Sequence, residues 1–215
     1  MSVQLPNGST ISVASAYAAA KPITDISNAQ NAVASVSAHG LESGAVVELS
    51  SGWAGVDARV ARVSASGPDS LVLEGIDTLD GVRYQPGSAA GSLRPISQWQ
   101  QIQQVITPTL SGGEQQFANY QFLEDFDQRQ IPTFRNALSL AIEVADDPAQ
   151  AYWATLEAAD SDRKPRAIRL SLSNGSQIYY NGYITVADTP TLSVNEVMTR
   201  TVTIALVGRA SRYSA

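Results

Sequence analysis

Cysteine is absent from this 215-residue chain, and histidine occurs once, at His39. Without thiols, neither disulfides nor thiolate metal sites can hold the fold, which fits a reducing compartment. The lone imidazole sits in Ala38-His39-Gly40-Leu41 with no partner ligands nearby, so it makes a poor catalytic or metal centre and reads as part of a turn. No stretch approaches the roughly 18 to 20 apolar residues of a membrane span, and no membrane association is expected. The amino end has neither a basic nor a hydrophobic leader segment, so Sec-type export is not expected either. Clustered cations are also missing. Lys and Arg number 14 against 20 Asp and Glu, 12 of the 14 are arginine, and the formal net charge is −6. A chain of this balance has no means of gripping a phosphate backbone.

What is present is an ordinary folded composition, 44% hydrophobic and 16% charged, long enough for one large β domain or two small ones. The character of the chain changes near Gln98. Before it Gly, Ser, Ala and Val dominate; after it glutamines and aromatics appear in longer runs. Residues 1–26 read as an extended amino-terminal arm with a turn at Asn7-Gly8. Residues 27–97 read as a small β-rich module. Its short runs at Ala32–Ser37, Ala45–Leu49, Ala58–Ser64 and Ser70–Glu74 have the rhythm of a small barrel or sandwich, followed by a long loop over 75–95.

Residues 98–215 read as a β-sandwich with one flanking helix. Trp99–Thr107 and Gln115–Leu123 flank Ser111-Gly112-Gly113 as a hairpin would, and Gln130–Val144 offers two further runs around Pro132. Asp147 stands where an N-cap belongs and Pro148 at the first helical position, predicting a helix over about 148–159. Tyr152, Leu156 and Ala159 fall on its packing face, with Trp153 beside them. Ala167–Ser173 alternates and turns at Asn174-Gly175, a type I′ signal, into Gln177–Val186. The last run sets Met198, Val202, Ile204 and Leu206 against Thr199, Thr201 and Thr203, one face packed and one wet.

No motif is specific for an enzyme. Asp146 and Asp147 are explained by helix capping. Glu124, Asp125 and Asp127 lack the Gly-punctuated spacing of a calcium loop and read as a solvated acidic patch. Gly112-Gly113 lacks the lysine and the strand-to-helix setting of a phosphate loop. Asn7-Gly-Ser and Asn174-Gly-Ser match a glycan acceptor pattern but are better explained as turns. Tyr179, Tyr180 and Tyr183 stand at strand spacing, where aromatics fill core and subunit interface more often than they stack on sugars or bases.

The order of Asn28-Ala29, Ala38-His39-Gly40-Leu41, Ser51-Gly52-Trp53, Leu73-Glu74-Gly75-Ile76-Asp77, Trp99-Gln100-Gln101-Ile102, Gly112-Gly113-Glu114-Gln115-Gln116-Phe117, Arg129-Gln130-Ile131-Pro132-Thr133, Asn174-Gly175-Ser176 and Asn195-Glu196-Val197-Met198 resembles the major tail tube proteins of long-tailed, non-contractile (siphovirus-type) bacteriophages. The resemblance covers nearly the whole chain. It implies a β-sandwich flanked by a helix, with six copies closed into a ring through a shared inner β-barrel. The rings would stack into a virion tail tube, assembled in the host cytoplasm around a tape measure protein and ended by tail terminator and distal tail proteins. Viral DNA would pass through without specific binding, and no catalytic residue, cofactor or metal comes with the family.

In such a ring, open sandwich edges pair between subunits. The polar faces of Trp99–Thr107, Gln115–Leu123 and Glu196–Val207 are then candidates for the lumen, with Glu114, Glu124, Asp125 and Asp127 as its acidic lining. Two rival readings stand beside this one: another phage ring protein, such as a head-completion, terminator or baseplate hub protein, and a carbohydrate-binding β module using the tyrosines.

Overall fold

The computed structural model describes residues 7–215, so the first six residues of the expected arm lie outside the described part. The order is β1 (Thr10–Tyr17), β2 (Lys21–Ile23), β3 (Asp25–Ile26), β4 (Val33–Ser35), β5 (Val46–Ser51), β6 (Val60–Ser66), β7 (Ser70–Leu73), β8 (Gly91–Ile102), β9 (Val105–Gly112), β10 (Gln115–Tyr120), β11 (Arg129–Arg135), β12 (Leu138–Ala145), α1 (Tyr152–Asp162), β13 (Arg166–Ser171), β14 (Gln177–Val186) and β15 (Thr199–Tyr213). The chain is mainly β with one helix. Thirteen strands form one curled sheet in the order β3-β4-β7-β6-β5-β8-β1-β13-β14-β15-β12-β9, with β2 added beside β8; β10 and β11 pair only with each other.

Three clusters of buried side chains explain the curl. Ile23, Ile26, Val47, Leu49, Trp53, Leu71, Leu73 and Leu93 fill the amino-terminal part. Ile11, Val13, Ile142, Val144, Leu156, Ile168, Ile184, Val202 and Ile204 fill the carboxyl-terminal part of the one curled sheet, where two packed sheets were expected, and seat the helix. Between them lie Ala14, Val60, Ala167, Tyr179 and Tyr213. The parts are joined by backbone as well. β8 pairs with β5 and β2 through residues 91–95 and with β1 through residues 96–102, so the composition change near Gln98 falls inside a continuous strand. β1, inside the expected arm, lies between β8 and β13, with Val13 and Ala14 fully buried.

The stretch expected as a long loop contributes its last five residues to β8. The remainder is anchored from within. Tyr84 is buried edge-on against Trp53 at 5.3 Å. Asn28 Nδ2 donates to the carbonyls of Thr78 and Tyr84, and Trp53 Nε1 to that of Gln85. Those bonds satisfy backbone carbonyls that the segment cannot pair in a ladder.

The hairpin expected around Gly112-Gly113 is rearranged. β9 pairs with β12, and β10 with β11. β10 and β11 form a two-stranded ribbon that follows on from the β9–β12 pair, separated from it where Gly112 and Gly113 turn at φ of +83° and +82°. A Cβ on Gly112 would lie 2.0 Å from the Ala137 carbonyl oxygen, so the interruption requires glycine. Pro132 sits within β11, opposite Phe117. It is tolerated because both ribbon strands are edges with an outward N–H side.

Two local readings are corrected. The helix starts at Tyr152, not Pro148; its N-cap is Ala151, with no side-chain cap. Asp147 instead organises the turn ahead of it, accepting from Ala149 N (3.1 Å), Gln150 Nε2 (2.7 Å) and Gln104 Nε2 (3.2 Å). The Gln150 amide, then the others, hold its carboxyl below the ordinary carboxylate range. At the β13–β14 turn only Gly175 has a positive φ, whereas a type I′ turn requires two. The loop is closed by Gly175 N–H to the Leu172 carbonyl at 2.9 Å and Leu172 N–H to that of Ser176 at 2.8 Å, the three-residue solution.

The central cluster gives the fold an alkaline limit. Burial pushes the Tyr17 hydroxyl up to about 12, and it also raises those of Tyr179 and Tyr213. Tyr17 Oη accepts from Ala167 N at 2.9 Å, and the Arg94 guanidinium lies 3.8 Å from its ring centre. A phenol raised in the folded state stabilises fully below the unfolded value of about 10. That contribution, on the order of 2 kcal/mol for Tyr17, is lost as pH rises through the folded value. Unfolding by denaturant is therefore expected to ease steeply between about pH 10 and 12, together with tyrosinate absorbance. A midpoint flat across that window would refute it.

Candidate functional site

The surfaces left uncovered by this fold are its candidate functional sites. β9 is the last strand of the sheet, and its outer edge has no partner among the described residues. A free edge of this length is a template for another strand. Beyond it the ribbon of β10 and β11 projects without contributing to any core cluster. Phe117, Ile131 and Phe134 are each more than half exposed, and at its tip Leu123 and Phe126 are fully exposed. A second uncovered stretch, Leu192, Val194, Val197 and Met198, lies in the segment before β15. Met198 thus stands outside the packed face on which the alternation placed it, because β15 begins at Thr199.

The register also defines a broad outer face. Ser111, Ser139 and Ala205 stand opposite one another, as do Thr109, Ala141 and Thr203, and Thr107, Glu143 and Thr201. Tyr183 and Thr185 extend the face onto β14. Directly opposed residues share a face, so this surface is hydroxyls, small side chains and one carboxylate, Glu143. The opposite side of β12, β14 and β15 carries Ile142, Val144, Ile184, Val202 and Ile204 into the core.

The four acidic residues assigned to the lumen are not on this face. Glu114 lies at the ribbon's joint, where its carboxylate accepts from Asn136 Nδ2 at 3.2 Å. Glu124, Asp125 and Asp127 lie in the tip loop, where Asp125 pairs with Arg129 at 3.1 Å. Alternation with Leu140, Ile142 and Val144 already sets Glu143 on the outer side of β12, but only the pairing of β12 with β9 and β15 shows which hydroxyls share that face. Among the described residues, no group of three or more His, Asp and Glu could hold a metal ion. His39 is buried, with Nε2 2.6 Å from the Gly67 carbonyl oxygen and Nδ1 accepting from Leu41 N at 3.0 Å. It ties two loops together, as its setting in a turn implied. Tyr179 is buried and only Tyr183 of the three tyrosines is well exposed.

A curled sheet that ends on the long β9 edge, a protruding ribbon and a polar outer face are the surfaces this subunit presents to partners. The sequence profile of the phage tail tube protein family, TTP, matches residues 51–215, and the chain belongs to that family. It is a structural component of a viral tail. No curated protein matches the chain. Two solved structures are similar in part. One is a chain of the anti-feeding prophage tube-terminating cap (18% identity, TM-score 0.36, 50% of this chain and 79% of that one). The other belongs to the anti-feeding prophage baseplate (11% identity, TM-score 0.40, 55% and 86%).

Proposed function

We propose that this chain is the major tail tube subunit, six copies of which close into a ring. Rings stack into a tube around a channel for genome delivery. The observation that carries this reading is the pairing of a free β9 edge with a ribbon whose Phe, Leu and Ile side chains have no cover within one subunit. Apolar surface of this kind marks an interaction site, and a free edge joins copies by continuing the ladder. The hydroxyl-rich face of β9, β12, β15 and β14 is then turned to the channel. Glu143, rather than the four acidic residues of the ribbon, supplies its charge. A face with no cation among its paired positions gives DNA no salt-dependent resting place.

In this reading the partners are further copies, a tape measure protein within the tube, and terminator and distal tail proteins at its ends. Assembly takes place in the host cytoplasm, and the subunit catalyses no reaction. Negative-stain imaging and sedimentation across a concentration series test it. Rings or tubes at raised concentration are expected; monomer alone at every concentration overturns the proposal.

A further inference from the structure

Three arginines gather in one open pocket of an otherwise acidic protein. Arg59, Arg83 and Arg209 line a pocket of about 540 Å³ between the turns after β7 and the carboxyl-terminal half of β15. None of them forms an ion pair among the described residues. Arg59 is the innermost: its Nη2 donates to Ser211 Oγ at 3.3 Å, and its buried Nε has no partner. Burial lowers its pKa, and the nearby Arg209 and Arg83 charges add to that. Asp77 and Asp80 also line the pocket, but each carboxylate bonds its own loop, to Leu79 N and to Val82 N and Arg83 N. Leu79 in the lining and Val82 in the same loop are exposed apolar side chains, at 61% and 89%.

The ribbon tip has the complementary chemistry. Leu123 and Phe126 are fully exposed, and Glu124 and Asp127 beside them form no ion pair among the described residues. We propose that the tip of one copy docks in the arginine pocket of another, with Glu124 and Asp127 on the guanidinium groups and Leu123 and Phe126 against the loop that carries Leu79 and Val82. Guanidinium and carboxylate pair through two parallel hydrogen bonds. The contact supplies the missing partner of both surfaces at once. It rests on the reading that copies of the chain associate, and it names the residues that make them do so.

Charge exchange tests it. Glu124→Arg with Asp127→Arg places like charge in the pocket, as does Arg83→Glu with Arg209→Glu from the other side. Each pair is expected to raise the concentration needed for assembly about tenfold or more, while circular dichroism stays that of the parent. Combining all four substitutions, or mixing the two variants, is expected to restore association, most strongly at low salt. Assembly unchanged by either reversal, or no recovery in the combined variant and the mixture, overturns the docking. A parent that forms no tubes counts against the ring reading alone, because the mixture still reports the contact as heterodimer at low salt by sedimentation velocity.

Discussion

Replacing residues 115–135 with an Asn-Gly turn is expected to leave a folded subunit that no longer assembles. The segment removed is the whole ribbon beyond Glu114, and it pairs only with itself. No ribbon residue belongs to the three buried clusters, so its loss removes no core area. The new turn closes where Asn136 N already donates to the Glu114 carbonyl at 3.0 Å, and Asn-Gly suits a two-residue reversal. The thermal midpoint should stay within a few degrees of the parent, by the scale that relates about 1 kcal/mol to roughly 2–4 °C at this size. Sedimentation should show monomer at concentrations where the parent associates. Normal assembly of the shortened chain would remove the ribbon from any role between subunits.

Leu156→Ala is expected to cost about 2 to 5 kcal/mol and to lower the thermal midpoint by roughly 4 to 20 °C. Leu156 is fully buried in the cluster where the helix lies against β14 and β8. The neighbouring packing is rigid, with Tyr152 and Trp153 in ring contact at 5.2 Å and Arg200 stacked on Trp153 at 4.4 Å. Such a site cannot collapse freely into the space left by the lost side chain. Asp147→Ala should be milder, since that carboxylate bonds a solvent-side turn ahead of the helix rather than capping it. An unchanged denaturant midpoint for Leu156→Ala would mean that the helix does not hold the curled sheet.

Local pattern determined a good deal of this protein. Alternation at Val202, Ile204 and Leu206 against Thr201 and Thr203 gave the faces of β15, because strand side chains alternate whatever the partner strand is. The spacing of Tyr152, Leu156 and Ala159 gave the buried stripe of the helix for the same reason of period. The absence of cysteine excluded disulfides before any fold was known. The order of short motifs carried the family, since it reflects the whole chain rather than any one residue.

Pairing and register belonged to the tertiary structure. Gly112-Gly113 signalled a break in the strands, but only the pairing of β9 with β12 and of β10 with β11 shows that the chain passes from the sheet into a separate ribbon there instead of reversing. Asp147-Pro148 carried the signals of a helix start. The Asp147 carboxylate closed a turn on Ala149 and Gln150, and the helix began one turn later. The arginine pocket joins residues 59, 83 and 209, far apart in sequence and brought together by the curl of the sheet. Alternation puts Glu143 on the outer side of β12, but that Thr107 and Thr201 stand beside it is set by register. Side-chain period is a property of a few consecutive residues, whereas which strands meet, and in what register, is set by contacts between distant parts of the chain.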